Sequence, residues 1–368
     1  MGQVSIMDRI VMSKDREVAR VDSKNHFIWK DEALCPLYFN RTENLDGWLA
    51  SRAIDAHRPN SRLLKKALRL AERDDISTVL SVHAVTVTDT YWIKDADSDL
   101  TWDDVRFKKN YFSTLALKGD YSSFAAAGAS RKAYTQELTN IGSFEKCWRL
   151  KDGVWWLYKQ ADAQELFSEY FISLLGKRLG FNMAEYIPCT DYVRPKIRAI
   201  RTRDFTDGAS VNFEPLDAIM GEDVEDYVRT YNVLKQFGKD VASDYVSIVF
   251  MDALCANPDR HSFNLGVLRD VDSGKVLSLA PNFDNNMALI ARGYPVKRTC
   301  GSDMLISDFN ALLSSGAYWK DFSRNHTLPP ITEELLDEII HATGCRVRAQ
   351  EIVEYIMKRY RHICYPSL

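Results

Sequence analysis

Two polar stretches decide the fold. One is Asn257-Pro258-Asp259-Arg260-His261-Ser262-Phe263-Asn264; the other, further on, is Ala280-Pro281-Asn282-Phe283-Asp284-Asn285-Asn286. The first follows Ser243 to Ala256, an apolar run that predicts a helix stopped at Asn257-Pro258. After it, Leu265, Val267 and Leu268 predict a strand, Asp272-Ser273-Gly274 a turn, and Val276 to Leu279 a second strand. A hairpin of that length brings the second polar stretch back beside the first. Asp259, Asn264 and Asp284 are therefore expected to converge.

Upstream, Leu138-Thr139-Asn140-Ile141-Gly142-Ser143 has turn chemistry. Phe144 to Leu150 and Val154 to Lys159 read as two strands joined by Lys151-Asp152-Gly153, with glycine where φ must be positive. Gln164 to Leu179 puts Leu166, Phe167, Tyr170, Phe171, Leu174 and Leu175 on one helical face and stops at Gly180. Nearer the start, residues 1 to about 60 alternate short β-like runs with turns. Arg62 to Arg73 has helical spacing, and residues 77 to 94 have the β-branched density of one or two strands. Thr101 to Asp104 opens a short helix with a capping box, and Tyr121 to Ser130 reads as a linker. Arg194, Lys196 and Arg198 share one face of an extended, solvated edge strand. Downstream, Thr332 caps a helix from Glu333 to Thr343, and Arg348 to His362 forms the last one. A β-rich first half and a helical second half predict an α+β chain in two lobes.

At 368 residues the chain has length for two domains or one large two-lobed one. Its 46% hydrophobic content and net charge of −3 exclude global disorder, and they give no bulk attraction to nucleic acid or anionic lipid. The seven cysteines are odd in number and contain no C-x-x-C, which argues against a disulfide framework or a zinc site and fits a reducing compartment. The first residues lack an apolar signal core, and the longest apolar stretch, Tyr245 to Met251, is too short to span a bilayer. A cytoplasmic protein is expected, with no membrane span and no direct nucleic-acid binding.

Phosphoryl transfer from ATP needs a carboxylate for the attacking hydroxyl, oxygen ligands for Mg²⁺ and a fixed cation on the phosphates. Asp259, Asn264 with Asp284, and Lys159 are residues of those types. A glutamate on the next helix, Glu169 or Glu165, would hold the lysine extended.

Asp259-Arg260-His261-x-x-Asn264 followed by Asn282-Phe283-Asp284 resembles the catalytic and metal-binding loops of protein-kinase-like folds, in the form shared by phosphoinositide kinases and HipA-like kinases. Gly142-Ser143-Phe144-Glu145-Lys146 is similar to the phosphate loop of the HipA-like serine/threonine kinases. Lys159 falls where their ATP lysine sits, and Ala280-Pro281-Asn282-Phe283-Asp284 resembles their metal loop. The resemblance covers roughly residues 136 to 290. It implies a two-lobed protein-kinase-like fold: residues 1–120 a β-rich region of unassigned role, 121–204 the kinase N-lobe, and 205–368 a helical C-lobe. It implies an ATP- and Mg²⁺-dependent protein kinase acting on Ser or Thr, of toxin or regulatory type, with an antitoxin or regulator as partner. Asp259 is then the base, Asn264 and Asp284 the metal ligands, and Lys159 paired with Glu169 the phosphate grip. Gly142, Ser143, Phe144, Ile200 and Thr202 line the nucleotide, and Thr139 is the autophosphorylation site. A lipid or small-molecule kinase and a nucleotide-binding pseudokinase scaffold are the alternatives.

Overall fold

The computed structural model describes residues 8–58, 60–70, 74–120, 134–194, 196–221, 226–294, 303–320 and 328–364. The chain divides into two compact units that alternate along the sequence. The first comprises Met1–Gln160, Arg201–Glu214 and Leu268–Leu277, and the second Ala161–Ile200, Pro215–Val267 and Ser278–Leu368.

In the first unit, strands β1 (Arg9–Ser13), β2 (Arg16–Val21), β3 (Phe27–Trp29) and β4 (Tyr91–Asp95) form a sheet in the order β3-β2-β1-β4. The β1–β2 and β1–β4 pairs are antiparallel. Between β3 and β4 lie four short helices, α1 (Leu37–Arg41), α2 (Leu45–Ser51), α3 (Ser61–Ala67) and α4 (Asp75–Leu80); α5 (Trp102–Val105) and α6 (Ser113–Lys118) follow. The region expected to be β-rich is thus mixed. The dense β-branched stretch 77–94 is a strand only from Tyr91. Its start is helical because Asp74 caps α4, accepting from Ser77 N at 2.7 Å, and because Thr78 and Val79 are buried within it. The helix read over Arg62 to Arg73 ends at Ala67, and the expected linker Tyr121 to Ser130 lies outside the described residues. The capping box at Thr101 is present.

Strands β5 (Lys146–Lys151) and β6 (Val154–Ala161) pair antiparallel around Asp152 and Gly153, both at positive φ as a tight hairpin turn requires. Trp148 and Trp155 of this hairpin share one core with Leu138, Ile10, Met12, Val85 and Trp92. The apolar face of the hairpin is covered mainly by residues of the first 120. Elsewhere in this unit Arg269 reaches Glu214, Tyr91 Oη (3.0 Å) and the carbonyls of Ala33 and Cys35 (2.7 and 2.8 Å).

Strands β7 (Tyr186–Arg194) and β8 (Ile197–Arg203) are neighbours, with β7 at the sheet edge; β8 passes from the second unit into the first at Ile200. Lys196 sits between them at φ +68, so the basic run from Arg194 to Arg203 is the end of β7, a turn and then β8, which lies inside the sheet between β6 and β7, and not the single extended edge strand its alternation predicts. Strands β9 (Val211–Pro215), β10 (Gly266–Asp270) and β11 (Val276–Leu279) form a sheet in the order β11-β10-β9.

The second unit is built on helices α7 (Ala163–Arg178), α8 (Leu216–Met220), α9 (Tyr227–Lys235), α10 (Lys239–Cys255), α11 (Met304–Ser314), α12 (Glu333–Ala342) and α13 (Ala349–Cys364). Helix α10 is buried along nearly its whole length. Phe250 from it meets Trp319 and Phe309 with ring centroids 5.2 and 5.5 Å apart. It ends in a left-handed Ala256, one residue before Asn257-Pro258. Thr332 caps α12, accepting from Leu335 N at 3.2 Å.

Candidate active site

The polar loop after α10 is held by its own arginine. Arg260 is nearly fully buried and donates to both Asp252 carboxylate oxygens at 2.8 Å, to Asn264 O and Phe283 O at 2.9 Å, and to Asn282 Oδ1 and Asn285 Oδ1 at 2.9 and 2.8 Å. Burial pulls the Arg260 pKa down, but Asp252 beside it more than offsets this, so the group is held above its ordinary value. One guanidinium thereby ties the 257–264 loop to the 282–285 loop, and the residues that sequence spacing predicts to converge sit on loops joined at one point. Within the first loop, Asn264 Nδ2 donates to Asp259 O at 3.0 Å, and His261 Nδ1 accepts from Phe263 N at 3.2 Å. His261 shapes the turn; the carboxylate of Asp259 is half-buried.

Helix α7 positions two glutamates differently. Glu165 belongs to the capping box, accepting from Asp162 N at 2.9 Å. Glu169, one turn later, is fully buried and accepts from Asn285 N at 2.8 Å. Asp284 N, one residue earlier, donates to Tyr186 Oη at 3.1 Å. Burial, followed by the charges of Glu169 and Asp284, pushes the Tyr186 phenol well above its ordinary pKa, so it stays protonated and donates to Glu169. Asp284 itself adopts φ +60, the left-handed region that costs a non-glycine residue about 1 kcal/mol or more. The bonds from Asp284 N and Asn285 N hold it there.

The remaining predicted residues, apart from Ile200, belong to the first unit. Lys159 is buried on β6, its ammonium 4.5 Å from the Phe144 ring centroid. Gly142 has φ +110, and a Cβ there would run into the Lys146 ammonium; Ser143 is exposed. Thr139 is buried and donates Oγ1 to Val85 O at 2.6 Å. On β8, Ile200 and Thr202 are both buried, Ile200 within the second unit.

The donor set fits Mg²⁺ chemistry. Asp284 offers a half-buried carboxylate, and Asn264, its nitrogen engaged on Asp259 O, has its oxygen left for a hard cation. Among the described residues no group of three or more His, Cys, Asp or Glu is placed to hold a metal; water and phosphate oxygens would supply the rest of a Mg²⁺ shell. Asp252 and Tyr186 went unmarked in the sequence. Asp252 had one usable signal: a carboxylate inside the apolar last turns of its helix, Ile248 to Cys255.

No protein-family model matches the chain, and no curated protein matches it. Among solved structures, the chain is similar to one from the toxin–antitoxin complex of HipA, HipB and its operator DNA from Shewanella oneidensis MR-1. The TM-score is 0.53 at 10% identity, covering 96% of this chain and 88% of that one. A proinflammatory kinase, CtkA, from Helicobacter pylori matches at TM-score 0.43 and 17% identity, over 61% of this chain and 95% of that one. The chain has the two-lobed α+β fold of the Shewanella structure.

Proposed function

We propose that the protein is an ATP- and Mg²⁺-dependent kinase that transfers the γ-phosphoryl group to a serine or threonine hydroxyl of a protein. The observation that carries this reading is the Arg260 junction, which fixes the loops bearing Asp259, Asn264 and Asp284 relative to one another.

In this reading Asp259 orients the acceptor hydroxyl and takes its proton. Asn264 and Asp284 hold the metal, which when bound spreads the charge of the phosphate oxygens. Lys159 holds the non-transferred phosphates, and the 142–144 turn covers them. Glu169 orients the metal loop through Asn285 N and is the partner assigned to Lys159. Catalysis of this kind is positioning and charge stabilisation, so removing Asp284 or Lys159 lowers the rate by about 10²-fold or more.

Thr139 is the autophosphorylation site in the same reading. Its hydroxyl is bonded to Val85 O, so modification requires the 136–140 segment to leave its seat. An antitoxin or regulator as partner and a cytoplasmic location belong to this proposal, as does a toxin role; the Shewanella structure, itself a toxin–antitoxin complex, supports the partner.

The test is incubation with γ-labelled ATP and Mg²⁺ followed by phosphosite mapping. Label on the protein, with the 138–143 peptide carrying phosphate, is the expected result. ATP binding without transfer to itself or to any protein overturns the kinase reading in favour of a nucleotide-binding scaffold.

A further inference from the structure

The loop 141–145, which carries Gly142, Ser143 and Phe144, starts from Asn140 and ends at Lys146. Both ends are held by a single side chain from far upstream. Arg58 donates Nη1 to Asn140 O at 3.0 Å and Nη2 to Lys146 O. Its guanidinium also pairs with Glu137 at 3.6 Å, and neither side chain has any exposed surface. Glu137 in turn accepts from Asn140 Nδ2 at 2.9 Å, from Asn110 Nδ2 at 2.7 Å and from Trp148 N at 2.8 Å. The upstream end has two more anchors: Ile54 N donates to Leu138 O at 2.9 Å and Thr139 Oγ1 to Val85 O at 2.6 Å. At the downstream end, Gln160 N donates to Glu145 O at 2.8 Å. Residues 54, 58, 85 and 110 all come from the region with no motif.

Chemistry explains why this residue is an arginine. A guanidinium presents donors in a planar fork that can reach two carbonyls and still face a carboxylate, whereas an ammonium is a point charge on a flexible stem. A dry ion pair adds little stability over an apolar pair of the same volume. What this one does is close a ring: Asn140, the loop, Lys146 and Arg58.

We propose that Arg58 is a positioning residue for the nucleotide phosphates. By fixing both ends of the 140–146 segment it holds the Gly142–Phe144 backbone in the one conformation that takes a triphosphate. Nucleotide affinity then depends on residues of the first 120, which gives that region a role. The proposal rests on the phosphotransferase reading of this loop.

The test compares wild type with Arg58→Lys, which keeps charge against Glu137 but loses the fork, and with the neutral pair Arg58→Met/Glu137→Gln, which leaves no uncompensated charge. Two readouts are taken on the full chain: hydrogen exchange of the Trp148 and Gln160 amides against those of β1 and β4, and titration with ATP·Mg²⁺. Expected is about tenfold faster exchange at Trp148 and Gln160 with β1 and β4 unchanged, and about tenfold weaker ATP binding, in line with the cost of loosening a binding geometry. A folded Arg58→Lys protein with wild-type exchange and wild-type affinity overturns the proposal. So does faster exchange with unchanged affinity, which makes Arg58 structural only. If wild type binds no ATP while exchange still rises in the variants, the nucleotide reading fails but the loop clamp does not.

Discussion

Arg260 shows what one buried charge can decide. It donates six hydrogen bonds, two to Asp252 and four to the loops that carry the proposed catalytic groups. Removing its carboxylate partner leaves a buried cation uncompensated, so Asp252→Ala is expected to cost about 3–5 kcal/mol of unfolding free energy. Urea denaturation measures this, and a loss under about 1 kcal/mol contradicts the assigned role. At this scale the sequence was readable where residues came in spaced groups: Asp259, Asn264 and Asp284 lie on loops that do meet. It was unreadable where a residue acts alone. Tyr186 sits in a strand and Asp252 in a helix, with no spacing to announce either. Glu165 and Glu169 lie on one helix and their sequence positions look alike, yet their hydrogen bonds differ: Glu165 accepts from Asp162 N at the cap and Glu169 from Asn285 N.

Helices and strands were legible where capping and turn residues agree with the hydrophobic period, as in the β5–β6 hairpin and helices α7, α10 and α12. They failed where propensity and capping disagree. Residues 77 to 94 have strand composition, yet Asp74 starts a helix there and buried Thr78 and Val79 keep it. The basic run after β7 failed for another reason: a turn at Lys196 interrupts a pattern that continues on both sides. The turn after β8 carries a pH dependence. Asp204 is buried and accepts from Thr206 N, Thr206 Oγ1 and Gly208 N at 2.9, 2.7 and 2.7 Å. Burial nonetheless raises its pKa above the ordinary value. The folded carboxyl therefore holds its proton more tightly than the unfolded one. Its contribution to stability is full below about pH 3.9 and is lost as pH rises through the raised folded value. Asp204→Asn should flatten that part of the stability–pH curve, which starts at about pH 3.9; denaturant titrations at several pH values would show the same slope in both proteins if the account is wrong.

At the scale of the molecule, the region that no motif could place supplies most of the core on which the β5–β6 hairpin packs. Trp148, Trp155 and Leu138 pack with Ile10, Met12 and Trp92. A chain beginning at residue 121 exposes those two tryptophans, each worth about 3–5 kcal/mol in a core. It is expected to lose its cooperative thermal transition and near-ultraviolet circular dichroism, and an intact transition would show that the first 120 residues are dispensable. Sequence reading missed this because a shared core leaves no local mark: its members are ordinary apolar residues scattered from Ile10 to Trp155. The central claim, that Asp259 is the base of a phosphotransferase, is tested most directly by single-turnover transfer of the γ-phosphoryl group from ATP·Mg²⁺, wild type beside Asp259→Asn. The account predicts nucleotide binding unchanged and transfer slowed by about 10²-fold or more; equal rates in the two proteins would contradict it.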